Sequence, residues 1–362
     1  MSKTELEEAP MEMVIGLDLH RSQITFRTVD LRTGEVQRGR IYPGAREAVR
    51  EWLDRFEPGT DAHFALEGTT GWRFVVEEIQ RRDFTAHLAD PAELSTLRGP
   101  KRRAKTDHAD CELMVNLLLE GRLPGSWIPP AHILEMRTLV RLRKTLVDQR
   151  IEWQQRLQAQ LYHQGVVPGL RLCRPEDRRR LGEAQMSPAG RQMTETGLTM
   201  LDDFDAQLGP LSTQLVRLAK SQAGCRALER ELYGVGWLTS AAILAELGDC
   251  RRFHSADQAV RASGLDVTVY ESNGKRPGGH LARQGPQVLR WALFEAAQCA
   301  ARKSSPDHDY YVTVRDRIDH NRACLSVSRK LCRRACHILK DLGDAAMAPP
   351  ELASASHETK AA

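Results

Sequence analysis

Four carboxylates and one distant serine carry the chemistry open to this chain. Asp18 ends an apolar run, Glu67 leaves a second one, and Asp107 and Asp110 stand three apart where a helix begins, so that both project from one face of its first turn. Acids delivered by a first strand, a later strand and a following helix form the layout that gathers hard oxygen ligands around Mg²⁺, and two such ions clamp the attacking and leaving oxygens of a phosphodiester. The plainer meaning is that Asp18 closes a strand in a turn, Glu67 is solvated and Asp107 caps its helix, a task Asp performs well. Far downstream, Ser272 lies in Tyr270-Glu271-Ser272-Asn273-Gly274-Lys275, followed by Arg276, Gly278, Gly279, Arg283, Gly285 and Arg290. A serine on a glycine-flanked loop ringed by cations suits a nucleophile whose phosphorane transition state is stabilised by positive charge, although a lone loop serine is commonly just polar surface.

The elements that must position these groups follow from apolar periodicity. Val14–Leu19 and Gln23–Val29 read as a strand hairpin, Val36–Ile41 as a third strand, and Arg46–Phe56 as a helix. Strands at Ala62–Leu66 and Thr85–Leu88 then alternate with a helix through Trp72, Val75, Val76 and Ile79, which together describe a ribonuclease H-like sheet. A helix from near Thr106 to Gly121 carries Leu113, Met114, Leu117 and Leu118 on its apolar side. A strand ending in Asp also opens the sugar-kinase and actin-like ATPases, but those need a glycine-rich phosphate loop next, and His20-Arg21-Ser22-Gln23 is not one. After Pro124, Pro129 and Pro130, Ile133–His163 reads as a long amphipathic helix, and Thr194–Lys220 as its antiparallel partner or as half of a dimer contact. From Cys225 onward the texture changes to short helices and glycine turns. Gly234 and Gly236, ahead of an apolar helix, have the spacing of a helix-hairpin-helix, whose glycines let backbone N–H groups approach a phosphate; a plain glycine turn is the competing reading.

Composition bounds the rest. The 362 residues, 41% hydrophobic and 28% charged, suit a soluble protein of two or three domains. A net charge of +4 is mild, but cations cluster at Arg98, Lys101, Arg102, Arg103 and Lys105, immediately before the helix acids, and again at Arg329, Lys330, Arg333 and Arg334, in both places as a phosphate-binding segment would. No signal-peptide layout or long apolar run occurs, which points to the cytoplasm. Eight cysteines without a Cys-x-x-Cys pair read as reduced thiols, with zinc at Cys332, Cys336 and His337 as the alternative. A nuclease-like half joined to a serine-bearing half in one basic chain narrows the chemistry to DNA rearrangement.

Taken together, these residues resemble the DEDD transposases of insertion sequences, the serine-dependent, bridge-RNA-guided recombinases that also include pilin-gene invertases. The likeness runs over about residues 14–345. Ile15-Gly16-Leu17-Asp18, Leu66-Glu67 and Lys105-Thr106-Asp107-His108-Ala109-Asp110 match the four acidic positions, the last being the most specific. Downstream, Gly234-Val235-Gly236, Ala245-Glu246-Leu247-Gly248-Asp249, Arg252-Phe253, Gly264-Leu265, Ser272, Gly279, Gly285, Leu289-Arg290 and Arg329-Lys330-Leu331 agree in order. Departures are Val267 where the family usually has Pro, Asn273 for Gly and Arg283 for Lys; Asn tolerates left-handed backbone angles, so a turn after Ser272 is expected to tolerate it.

The resemblance implies a mixed α/β and all-α chain. A disordered leader at 1–13 precedes a RuvC-like domain at 14–124, a coiled-coil connector at 125–222, a helical transposase domain with helix-hairpin-helix at 223–345 and a disordered tail at 346–362. It further implies strand exchange through a phosphoserine at Ser272, with Mg²⁺ held by Asp18, Glu67, Asp107 and Asp110. Arg98, Lys101, Arg102, Arg103, Lys105, Gly234, Gly236, Lys275, Arg276, Arg283 and Arg290 would contact nucleic acid. Donor and target DNA, a structured noncoding bridge RNA, and dimers assembling into a tetramer complete the expectation, in a prokaryotic cytoplasm near the nucleoid and away from membranes. The rivals are a RuvC-like junction nuclease working by metal alone and an inactive DNA-binding relic; Tyr310 or Tyr311 as nucleophile lacks the arginine and histidine spacing of tyrosine recombinases.

Overall fold

The computed structural model describes residues 11–98, 106–166, 169–267, 281–282 and 284–349. The chain divides into two compact units, Met1–Ile128 and Pro129–Ala362.

The first unit is a six-stranded sheet with helices on both faces. Strands β1 (Met13–Leu19), β2 (Ile24–Asp30), β3 (Val36–Ile41), β4 (Ala62–Glu67), β5 (Thr85–Ala89) and β6 (Gly125–Ser126) lie in the order β3-β2-β1-β4-β5-β6. β1, β2 and β3 are antiparallel, whereas β4 runs parallel to β1 and β5 parallel to β4. That is the arrangement expected of a ribonuclease H-like sheet. Alternation along β1 and β4 sends Ile15, Leu17, Phe64 and Leu66 to a core closed by α1 (Arg46–Leu53) and α2 (Trp72–Arg81). Val14 and Ala65 face the other way, against Leu94 of α3 (Pro91–Leu97) and Met114, Val115, Leu117 and Leu118 of α4 (Asp107–Leu119). Neither α3, entered through an Asp90 cap and Pro91, nor the two-residue β6 is visible in apolar periodicity, because each is shorter than the pattern needs.

Glu78 ties α1 to α2. Its carboxylate is 2% exposed and accepts from Arg50 at 3.0 Å, Arg46 at 2.9 Å and Arg81 at 2.9 Å. The Arg50 hydrogen bond, helped by Arg46 and Arg81 and opposed by burial, lowers its pKa from 4.5 to about 2. A depressed carboxylate pKa gives stability that is complete above the unfolded value and lost as pH falls through the folded one. Glu78→Gln is therefore expected to cost about 1–2 kcal/mol at neutral pH, since the half-exposed arginine partners are screened by solvent. That deficit should shrink between about pH 4.5 and 2, which urea melts across this range would measure; a pH-independent deficit would show that the charge is not what matters.

The second unit is helical: α5 (Ala131–His163), α6 (Pro175–Glu183), α7 (Pro188–Ser221), α8 (Ala223–Glu231), α9 (Trp237–Leu247), α10 (Ala256–Ala262), α11 (Gln287–Gln298), α12 (His308–Arg317) and α13 (His320–Leu342). α5 and α7 pair antiparallel, since partners descend along α7 as they ascend along α5: Arg143 with Ser212, Arg150 with Asp205, Leu157 against Gly197. α6 falls between them, with Pro175 in its first helical turn, the position at which proline is tolerated. From Ser240 to Leu247 every residue of α9 is buried, which erases amphipathic periodicity and marks it as the central helix. Its Glu246 accepts from Arg141 Nε and Nη2 at 2.7 and 2.8 Å. The tail expected from residue 346 is held as far as Met347: Ala346 and Met347 are buried, and the Met347 carbonyl accepts from His132 at 2.9 Å. Among the described residues no helix is long and apolar enough to cross a membrane.

Candidate functional site

A glycine sets the site's geometry. Gly16 lies on the α4 face of β1, and a Cβ there would collide with the Cys111 carbonyl oxygen, so only glycine lets α4 lie this close to the sheet. One residue pair beyond the register Leu17↔Leu66, Asp18 and Glu67 leave neighbouring parallel strands at the same end and on that same face. Thr106 starts α4 by accepting the Ala109 N–H, which places Asp107 and Asp110 in the first helical turn above them. Three elements thus deliver four carboxylates to one end of the sheet.

The contacts among them are specific. His20 Nε2 lies 3.1 Å from Asp18 Oδ2 and 3.7 Å from Asp107 Oδ1. Arg98, at the end of α3, places Nη2 2.7 Å from Glu67 Oε2 and Nε 3.3 Å from Asp110 Oδ1. Burial, followed by the like charges of Asp107 and Asp110, raises the Asp18 pKa against the opposing pull of His20. Two cationic or protonatable side chains therefore stand among four acids that repel one another. Crowded carboxylate oxygens are the donor set of a hard divalent cation, and the His20 imidazole stands at their rim. Among the described residues, Asp18, His20 and Asp107 are the one group of three ligating side chains whose donor atoms lie mutually within 4.8 Å. Cys332, Cys336 and His337 form no such group, and all eight cysteines are free thiols.

Sequence reasoning passed over His20; its signal was a histidine two residues beyond a strand-end Asp, in the tight turn closed by its own N–H to the Gln23 carbonyl at 2.9 Å. Arg98, expected on phosphate, is turned onto Glu67 and Asp110 instead. Lys101, Arg102, Arg103, Lys105, Ser272, Lys275, Arg276 and Arg283 lie outside the described residues.

The cationic run near the C-terminus requires a correction. Arg329 donates to the Leu265 carbonyl at 2.7 Å, Arg333 to Asp257 at 2.6 Å, and Arg334 to both oxygens of buried Asp307, which Lys330 also approaches at 3.1 Å. On a helix packed against α8, α10, α11 and α12, Arg329 satisfies a carbonyl and Arg334 and Lys330 balance the buried Asp307, whereas the Arg333–Asp257 pair lies at the surface. Arg290 likewise directs one guanidinium nitrogen to the carbonyls of Ser263, Gln284 and Gly285. In the turn between α8 and α9, Gly234 has φ 87° and its missing Cβ leaves space for the Ala296 carbonyl, while the Gly236 N–H donates to Thr239 Oγ1 at 2.9 Å. Tyr311 is buried with its hydroxyl 2.7 Å from His320.

Two families match the chain. Residues 15–164 match a transposase family of the IS110 DEDD type, and residues 226–312 match the transposase family of IS116, IS110 and IS902. Protein y4rJ of Sinorhizobium fredii, named as a transposase, is 26% identical over 284 residues, covering 72% of this chain and 71% of its own length. The transposase for insertion sequence element IS1111A of Coxiella burnetii is 25% identical over 149 residues, 40% of this chain and 41% of that protein. A Pseudomonas aeruginosa protein named as a family 20 transposase is 23% identical over 297 residues, 80% of this chain and 84% of its own.

Proposed function

We propose that this chain, which belongs to the IS110-type DEDD transposases of insertion sequences, exchanges DNA strands at defined sites through a phosphoserine formed on Ser272, under the direction of a noncoding guide RNA. The observation that carries the reading is the convergence of Asp18, Glu67, Asp107 and Asp110 from two parallel strands and a helix start. These four would hold Mg²⁺, which when bound supplies positive charge to the reacting phosphate. In the proposed step Ser272 Oγ forms a bond to phosphorus, the ester bond to the departing strand breaks, and that strand's oxygen gains a proton as the serine loses one. Attack by a second strand reverses the sequence, frees the serine and seals the new junction, so no external energy source is consumed. Dimers assembling into a tetramer would supply the several reacting centres that exchange between two duplexes requires.

Guidance by RNA would supply what the side chains leave undone. The sequence contains no homeodomain, zinc-finger or basic-zipper pattern, and the described arginines of the C-terminal run are engaged within the protein. Contacts to phosphate alone do not choose a site. A chain that recombines defined sequences then takes its base readout from pairing, with the protein recognising duplex shape. The purified protein is expected to bind the noncoding RNA encoded beside its gene tightly, to bind naked DNA weakly with a steep salt dependence, and to recombine only with the RNA present. Changing the guide loops should move the target. Site-specific recombination by RNA-free protein would defeat the RNA claim and leave the serine and metal roles standing; recombination unaffected by Ser272→Ala would favour a metal-only junction nuclease.

A further inference from the structure

Residues 262–267 lie beside residues 281, 282, 284 and 285, and the sequence between 267 and 281 carries Ser272. Val267 pairs antiparallel with Leu281, and the Ala282 N–H donates to the Asp266 carbonyl at 2.9 Å. Gly264, at φ 71°, faces the Gln284 carbonyl, and Gly285, at φ 88°, faces the Ala262 carbonyl, each so closely that a Cβ would overlap the oxygen. Among the described residues these backbones meet at one isolated bridge and through glycines rather than along a ladder, so their carbonyls need donors from elsewhere.

Two arginines from different helices supply them. Arg290 of α11 sets Nη1 3.2 Å from the Ser263 carbonyl, 3.2 Å from that of Gln284 and 2.9 Å from that of Gly285, thereby joining both segments. Arg329 of α13 places Nε 2.7 Å from the Leu265 carbonyl. Burial lowers the Arg329 pKa, yet its guanidinium is aimed at a neutral oxygen where an apolar side chain would serve simple packing. A planar, multiply donating cation suits this task better than lysine, which offers one nitrogen on a flexible stem.

We propose that Arg290 and Arg329 are positioning residues for DNA cleavage: their contacts fix the paired segments from which the Ser272-bearing chain leaves and to which it returns. The inference rests on the reading of Ser272 as nucleophile. A nucleophile must be held within a fraction of an ångström of its line of attack, and a misplacement of about 1 Å costs roughly 100-fold in rate. A clasp on the two flanking segments anchors both ends of the Ser272-bearing stretch without touching DNA.

The test uses full-length protein, its own noncoding RNA and the donor duplex read from the DNA flanking its gene. Arg290→Met should keep the parent's melting temperature within a few degrees and its duplex retention, while cleavage falls about 100-fold and the Ala282 amide exchanges faster. Added guanidinium ion should restore part of the cleavage. Arg290→Lys, long enough to keep one carbonyl, decides the matter if the Met variant fails to fold: it should cleave slowly at unchanged retention. Parental cleavage by either folded variant, or a loss that only tracks retention, would overturn the clasp. Ser272→Ala run alongside separates the two failures. If it is inactive while the Arg290 variants cleave normally, the clasp alone is wrong; if it cleaves, the nucleophile reading falls and the inference falls with it.

Discussion

Ser272→Ala is expected to abolish strand cleavage while leaving RNA binding, DNA retention and the melting curve unchanged. Removing a nucleophile deletes the chemical route, so the loss should reach many orders of magnitude, where loss of a binding contact costs a factor of ten or so. The outcome also has a physical signature. Parent protein quenched in denaturant during turnover should carry a DNA strand that survives boiling and is released by protease as a serine-linked fragment, whereas the Ala variant should carry none. Wild-type recombination by Ser272→Ala would sink the assignment. An adduct that persisted in the variant would move it to another residue, with Tyr310, exposed beneath Lys330, the first to examine, since the Tyr311 hydroxyl is buried against His320.

The sheet was legible because its signals are local. The alternation of Ile24, Phe26 and Thr28 on one face of β2 is set by the strand itself, and the Thr106 cap ahead of Asp107 by a hydrogen bond three residues long. What stayed hidden depends on partners far along the chain. Gly16 reads in sequence as part of a motif, and its reason, the approach of the Cys111 carbonyl, involves a residue on another element. The same holds for Arg98: a cation inside a basic run looks like a phosphate ligand until Glu67 and Asp110 are seen around it. Arg329, Arg333 and Arg334 misled for the mirror-image reason, since their carboxylate and carbonyl partners lie on other elements. Charge runs announce positive potential; whether that potential is already satisfied inside the protein is a tertiary fact.

Asp107→Asn is expected to remove metal-dependent cleavage and, in the metal-free protein, to raise the melting temperature slightly. Both effects come from one cause. The carboxylates of Asp107 and Asp110 push the Asp18 pKa upward beyond what burial does, so these groups strain one another when His20 and Arg98 are their nearest counter-charges. Asn keeps the shape and deletes one charge, which relieves the repulsion and weakens the seat for a divalent cation. In the parent, a ligand that binds only the folded state stabilises it by about 2.7 kcal/mol at a hundred times its Kd. Mn²⁺ or Mg²⁺ titrated into the parent should therefore lift its melting temperature above that of the chelated protein, and the lift should be small or absent in Asp107→Asn. The two curves are expected to cross, with the variant more stable in chelator and the parent more stable in metal. Such a crossing separates a metal seat from a helix cap, because loss of a capping interaction would lower the variant's curve under both conditions. Indifference of cleavage to chelator, joined to parallel melting curves, would remove the metal from this site and leave the four acids as a structural feature at the end of the sheet's central strands.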